Sequence, residues 1–464
     1  MNKIFYQHEK LGFCGDFIPF FWNGTYHFFT IIDGHWEHLT STNFVDFKNH
    51  GVAIPCGSDE EQDRMICTGS IFEWEGTFHC FYAGYNPAFT GIKPFQVVLH
   101  ATSKDLFSWK KEKDVFLPPD ESLYHRDGWR DPFVWRDEKH QDFRMIITGE
   151  EHIDNFRRWG AVALATSKDL VNWKVEKPLY APHLYDTHEC PDFFKMGKKW
   201  YLIFSTYTRW WENHYRIADS SDGPFYTPKD EVLDNRSFYA AKTIFDGKRR
   251  ILVGWAAMRD KNSDKEKYLW GGNFCAHELK VGKNSELECH PIQEITDAFK
   301  KEVEIKPEFK FGNGSFKYNN RIIDFNSDGF SVIKLVDINT DDFYFSCDIE
   351  LRDNVVAGVL LRADTLKFDK WAAVEINRKK DILFFDHIGK WFDDQLFDES
   401  RPLKKSNKYH LDIISIGSMI VIYCNGKALS TRCYDQHNGE IGLSVRDGKV
   451  KFSNIKIRIG EFKE

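Results

Sequence analysis

The sequence predicts an all-β chain, with a five-bladed β-propeller over residues 1–300, a linker at 301–315 and a β-sandwich over 316–464. Three observations lead there. Five hairpin patterns recur between residue 17 and about residue 300, each a short turn between two apolar runs,. A second phrase, Ser-x-Asp-Leu-x-x-Trp, follows two of them and has a variant after a third. Beyond residue 316 the pattern changes to short strands of alternating polarity, as in a sandwich,.

Taken in order, the hairpins are Ile18 to Thr30 around Asn23-Gly24, Ser70 to Gly84 around Glu75-Gly76, Asp131 to Thr148, Asp192 to Thr206 around Gly197, and Ala241 to Trp255 around Asp246-Gly247. The phrase is Ser103 to Trp109 and Ser167 to Trp173, with Ser41 to Phe47 as its variant and Ser220-Ser221-Asp222-Gly223 as a shorter echo. Ser41, Ser103 and Ser167 lie 62 and 64 positions apart. That is room for four strands and their loops, so each unit reads as a propeller blade. Residues 301–315 are charged and punctuated by Pro and Gly, as a linker would be,. Phe343 to Leu351, Lys408 to Gly417, Met419 to Leu429 and Phe452 to Ile459 are the clearest sandwich strands,.

Composition narrows the partners. Aromatic residues are 16% of the chain, which suits strands and the faces of sugar rings,. A formal charge of −7 without any dense Lys/Arg block argues against nucleic acid or a membrane surface,. The N-terminus shows no secretory pattern and no stretch is long and apolar enough to span a membrane,. Ten cysteines without Cys-x-x-Cys pairs read as free thiols in a reducing cytoplasm rather than a disulfide or zinc framework,. His35-Trp36-Glu37-His38 lacks His-Glu-x-x-His spacing, so no metal and no cofactor are expected,. A small saccharide is the expected partner, and self-association into a homo-oligomer is left open.

The hairpins serve as a ruler. Seven residues before Asn23, Glu75, Glu138, Met196 and Asp246 stand Asp16, Thr68, Asp131, Glu189 and Tyr239. If each hairpin contains the innermost strand of its blade, these five positions meet around the axial funnel, and three of them are acids. Three acids beside Arg130 are what glycoside cleavage needs: a proton donor to the leaving oxygen, an ionised carboxylate to attack or to activate water, and a third to hold hydroxyls,. Arabinosidases and xylosidases would use the same three-acid layout, and a binding propeller that has lost its chemistry could keep it.

At these residues the chain resembles glycoside hydrolase family 32, the β-fructosidases. Trp129-Arg130-Asp131-Pro132 resembles its Arg-Asp-Pro motif, and His188-Glu189-Cys190-Pro191 its Glu-Cys motif. Phe238-Tyr239-Ala240-Ala241-Lys242-Thr243, the segment from Trp270 to Leu279, Trp36-Glu37-His38 and Cys67-Thr68-Gly69-Ser70 are similar to further family phrases, and the tail from Ile420 to Val445 to its C-terminal sandwich. The resemblance implies a retaining enzyme that cleaves β-fructofuranosidic bonds, or transfers fructosyl groups. Asp16 would be the nucleophile that forms a fructosyl-enzyme, and Glu189 the general acid and then base. Asp131, helped by Arg130, would hold two fructose hydroxyls and stabilise the oxocarbenium-like state. Cys190 would line the fructose site; Thr68 and Tyr239 are further candidates there. Trp36, Trp74, Trp255 and Trp270 are candidates to stack on sugar, and Arg157-Arg158-Trp159 and Trp210-Trp211 to line a rim,. The first motif departs from the family: Asp16 is kept, but both flanking Asn residues are lost from Phe13-Cys14-Gly15-Asp16-Phe17-Ile18-Pro19.

Overall fold

The computed structural model describes residues 4–153, 158–352, 355–364, 371–388, 399–460 and 462. Turn chemistry starts each blade. Asn23-Gly24 and Glu75-Gly76 take φ of 47°, 78°, 50° and 71°, the left-handed pair that a two-residue hairpin turn requires,. The first blade contains Phe17–Trp22, Thr25–Ile32, His35–Ser41 and Lys48–Ile54; the second contains Met65–Trp74, Thr77–Tyr85, Gln96–Ser103 and Trp109–Leu117. The third contains Arg130–Asp137, Asp142–Glu150, Gly160–Ser167 and Trp173–Tyr180. The fifth contains Phe238–Phe245, Arg250–Arg259, Tyr268–Val281 and Leu287–His290. In the fourth, three strands (Glu189–Met196, Lys199–Thr206, Glu212–Ala218) are followed only by isolated bridges, His214 to Val232 and Ile217 to Tyr226. The first strands of successive blades neighbour one another in a closed circuit, fifth to first included, and so line the axis,.

The recurring phrase has a physical reason. In it the Ser103 hydroxyl accepts from the Asp105 and Leu106 amides, and the Asp105 carboxylate accepts from Phe107 and Ser108. Ser167 and Asp169 repeat the pattern on Asp169, Leu170, Val171 and Asn172. These bonds hold Leu106 and Leu170 at φ of 69° and 65°, and Trp109 and Trp173 then donate to their carbonyls at 3.0 and 2.9 Å,. Each indole meets a ring of the preceding blade: Trp109 lies 5.8 Å from Phe29, and Trp173 lies 5.5 Å from Phe81. The phrase is therefore a turn and a blade-to-blade contact in one.

In the variant phrase Phe47 replaces that Trp, and it packs on Phe274 of the fifth blade at 4.9 Å. Phe274 also meets Phe17 at 5.1 Å and Phe28 at 4.9 Å and is fully buried, which closes the ring. Phe274→Ala is expected to cost about 3–5 kcal/mol, read as a lower urea midpoint. An unchanged midpoint would show that the ring is held shut elsewhere.

The chain divides into two compact units, Tyr6–Ala257 with Trp270–Leu287, and Met1–Phe5 with Met258–Leu269 and Glu288–Glu464. Among the described residues the second unit is built on one 13-stranded antiparallel sheet. Its long strand Gly439–Ile459 pairs along Ile322–Ile338, along Val356–Ala363 over its first part and along Phe343–Leu351 over its second. The change of partner falls beside Asp447, at φ 55°, so one strand serves both layers of a sandwich around a continuous aliphatic core,. Residues 301–315, expected as a linker, carry Lys301–Glu302 and Glu308–Phe311, both paired into this sheet. Among the described residues no helix is long and apolar enough to cross a membrane.

Candidate active site

The five positions picked out by the hairpin ruler do meet at the axis. Asp16 sits immediately before Phe17–Trp22, and its backbone is pinned from two sides. Its own blade binds Gly15 and Asp16 through Ile31, at 3.1 and 3.3 Å, and the fifth blade binds Cys14 through Gly272, at 2.7 and 2.9 Å. Ring closure therefore places this carboxylate. A Cβ on Gly15 would lie 2.5 Å from the Trp270 ring and 2.8 Å from the Ile31 carbonyl, so the residue that replaces the family's Asn is the one that lets Trp270 lie against this turn,.

In the second to fifth blades the first strand carries a bulge at its start, in the second between Ile66 and Gly69. In the other three, register breaks lie between Arg130 and Phe133, Glu189 and Asp192, and Tyr239 and Lys242, each time with Asp131, Cys190 or Ala240 at positive φ of 56°, 49° or 54°,. By strand pairing Arg130, Glu189 and Tyr239 are equivalent, and Asp131 matches Cys190. The ruler is thus one residue off in the third blade, where the turn is longer, and two off in the second, where Ile66 is the residue paired before the break and Thr68 lies inside the bulge. In the third blade the bulge corrects for it, because left-handed backbone re-aims consecutive side chains into the same opening.

Asp16 is 9% exposed. Its Oδ1 accepts from Trp255 Nε1 at 2.7 Å, and its Oδ2 accepts from the Thr68 hydroxyl and, at 3.6 Å, from the Cys190 thiol. Asp131 accepts from Thr148 Oγ1 at 3.1 Å and from the Cys190 amide at 3.0 Å, with Arg130 Nε 3.8 Å away. Glu189 accepts from Arg130 Nη2 at 2.8 Å and from the Tyr239 hydroxyl at 2.7 Å. Cys190, bonded in sequence to Glu189, thus touches both other acids.

Burial is the largest influence on the acidity of Asp16, and likewise of Cys190, Tyr239 and Arg130. It pushes Asp16 up to about 6, against the Thr68 and Trp255 hydrogen bonds that lower it and with the charges of Asp131 and Glu189 adding to the rise,. Cys190 and Tyr239 are raised well above their ordinary values by burial and by neighbouring carboxylates, so both stay protonated as donors. For Arg130 burial alone would lower the pKa, but Glu189 and Asp131 reverse it and the guanidinium stays charged,.

Trp255 is fully buried, with Tyr239 and Trp211 both at 5.4 Å and Trp270 at 6.1 Å; Trp270 is 48% exposed. An open aromatic face therefore exists at Trp270 and not at Trp255, whose part is its indole donor. Trp36 is fully buried as well: it donates to the Cys67 carbonyl at 2.9 Å and so holds the backbone leading to Thr68, with no face left for a sugar. Trp74 is at the far end of its strand, packed at 5.1 Å against Phe143. Of the rim candidates, Trp211 packs on the buried aromatics, Trp210 is exposed beside Arg236, Trp159 meets His125 at 5.2 Å, and Arg158 binds the Leu184 carbonyl; Arg157 lies outside the described residues. Thr148, Thr187 and Tyr207 were not legible in the sequence. Thr148 bridges Asp131 and the His188 carbonyl, Thr187 binds Arg130 at 3.2 Å, and the Tyr207 hydroxyl interacts with Arg130 and Glu189. Isolated hydroxyl residues carry no pattern of their own.

The model of the glycosyl hydrolases family 32 N-terminal domain matches residues 16–291, more than half of the chain. Among curated proteins, sucrose-6-phosphate hydrolase of Escherichia coli is 26% identical over 59% of this chain and 59% of its own length, and raffinose invertase of Escherichia coli is 27% identical over 62% and 63%. The chain thus spans about three-fifths of these relatives. Among solved structures, fructan 1-exohydrolase IIa from Cichorium intybus superposes with a TM-score of 0.75 at 18% identity, covering 100% of this chain and 98% of that one. Exo-inulinase from Aspergillus awamori gives 0.75 at 17% identity, covering 99% and 98%. The structural likeness carries the fold; the sequence match over the propeller carries the membership: this chain belongs to glycosyl hydrolases family 32.

Proposed function

We propose that this protein is a retaining exo-β-fructofuranosidase acting on small fructose-containing saccharides. The observation that supports it best is the Cys190 bridge, which ties Asp16, Asp131 and Glu189 into one cluster through its thiol, its amide and its peptide link. In this reading Asp16 attacks the anomeric carbon. Its two oxygens are held by Trp255 and Thr68, so the attacking atom is oriented before substrate arrives,. Glu189 donates a proton to the leaving oxygen and later takes one from water. Arg130 and Tyr239 each hold one Glu189 oxygen and so fix its direction. Asp131, unable to turn because Thr148 and the Cys190 amide bind it, grips sugar hydroxyls and faces the developing positive charge,. Trp270 offers the stacking surface.

All ten cysteines are free, which supports a reducing compartment and hence substrates that have been imported,. The relatives named as sucrose-6-phosphate hydrolase and raffinose invertase support fructosides over pentosides and over a binding propeller without chemistry. The test is release of fructose from sucrose and from inulin-type and levan-type oligosaccharides, with Asp16→Asn as control. Release that disappears in the variant is expected; no release from any of them would overturn the reading.

The raised Asp16 makes a pH prediction. Nucleophilic attack needs the ionised form, which is lost as pH falls through about 6, so kcat/KM should drop about tenfold per unit below that value,. Trp255→Phe removes a hydrogen bond that favours the carboxylate and should move this limb to higher pH. A limb that stays in place in Trp255→Phe would refute its assignment to Asp16.

A further inference from the structure

We propose that Asp264, His387 and Cys433 form a binding site for one divalent transition-metal cation of the Zn2+ class, within the second unit and separate from the acid cluster. Three segments far apart in sequence bring a carboxylate oxygen, an imidazole nitrogen and a thiol sulfur within 4.8 Å of one another, and all three residues are buried. His387 Nδ1 is 3.7 Å from Asp264 Oδ2 and 4.0 Å from Cys433 Sγ. In a tetrahedral site with metal–ligand bonds of about 2.0–2.3 Å, neighbouring ligand atoms are about 3.3–3.8 Å apart, so His387 needs to close on Asp264 and on Cys433 by only a few tenths of an ångström, and Asp264 and Cys433, within 4.8 Å, by at most about 1 Å,.

The same imidazole nitrogen faces both other groups. That separates this cluster from a nucleophile relay, in which a histidine takes the thiol proton on one ring nitrogen and is oriented by a carboxylate at the other. Three donors converging on one point are the arrangement of a cation site. Burial argues the same way, because Cys433 at 0% and Asp264 at 2% exposure are beyond the reach of a substrate.

The ligands are also held in place from behind. Asp264 accepts from the Tyr434 amide at 2.9 Å and from the Asp435 amide at 3.0 Å. Arg362 donates to the Cys433 and Gln436 carbonyls at 2.9 and 3.0 Å, and its own charge is met by Asp341 at 3.4 Å. Such outer contacts orient metal ligands. Next to the cluster, Gln436, whose backbone carbonyl lies 3.7 Å from Cys433 Sγ, has a buried Oε1 without a hydrogen-bond partner among the described residues. On loading, the Cys433 thiol loses its proton to solvent, and the thiolate and the Asp264 carboxylate together neutralise a dipositive ion. His387 binds as the neutral imidazole. The site would fasten the segment around Asp264 to the sheet strands that carry His387 and the turn that carries Cys433.

The test uses the full chain, stripped with chelator, given Zn2+ and freed of excess. One equivalent per chain is expected by elemental mass spectrometry, with affinity in Cys433→Ser and His387→Gln lost or weakened by more than the roughly 10- to 100-fold that removing an outer contact costs. Fructoside turnover should be unchanged in His387→Gln, since the acid cluster is elsewhere. Co2+ added to the stripped wild-type chain should give a thiolate charge-transfer absorption, which tests the site even if Cys433→Ser fails to fold. Absence of that absorption, no retained Zn2+, or undiminished Zn2+ in His387→Gln would each overturn the proposal.

Discussion

Replacing Asp16 by Asn is expected to lower kcat on a fructoside by on the order of 10⁴- to 10⁶-fold, the size of effect seen when a covalent nucleophile is removed. The same variant should be more stable than the wild type at pH 7. Folding buries the Asp16 carboxylate and raises its pKa from 3.8 to about 6, so above pH 6 the folded state carries an unfavourable charge that the unfolded chain solvates freely,. The penalty is present at pH 7, shrinks as pH falls through 6, and is gone near pH 4. Asn removes it, at the loss of one good acceptor, for a net gain of roughly 1–2 kcal/mol at pH 7. Denaturant melts at pH 7 and pH 4 read the difference. Loss of turnover with a more stable protein separates a chemical role from misfolding, and a variant with wild-type turnover would remove Asp16 from the mechanism.

Glu189→Gln is expected to cost about 10²- to 10⁴-fold on sucrose, the contribution of a positioned proton donor. The amide oxygen still accepts from Arg130, and the amide NH2 can donate to the Tyr239 oxygen in place of the bond Tyr239 gives the carboxylate, so binding should change little,. The loss depends on the leaving group. An alkoxide-like sugar oxygen needs the proton, whereas a nitrophenolate does not, so a nitrophenyl β-fructoside should suffer much less in the first step. Its second step would stall for want of a base, and azide, which needs none, should restore turnover and give a fructosyl azide of retained configuration. Equal losses for both leaving groups, with no effect of azide, would take the acid role away from Glu189.

The β architecture, the hairpin turns and the propeller are legible in the sequence, because they depend on neighbours along the chain. Asn23-Gly24 sets a turn whatever lies across from it, and Ser103-x-Asp105-Leu106 closes on its own amides. Equal spacing in similar blades also carried Asp16, Thr68, Glu189 and Tyr239 to one axis, and the Arg130-Asp131-Pro132 motif was legible as it stood.

The remaining features depend on residues far apart along the chain. Whether Arg130 or Asp131 is the counterpart of Glu189 turns on a bulge that is visible only in strand pairing. Trp36, Trp255 and Trp270 look alike in sequence, yet one supports the Thr68 backbone, one donates to Asp16 and one is open to solvent. Thr148 reaches Asp131 from a neighbouring strand, and Asp264, His387 and Cys433 meet from positions with no common spacing. Local turn and strand preferences act between residues a few positions apart, whereas burial and the meeting of distant side chains follow from how the blades close and the sheet folds over, which no short stretch of sequence encodes.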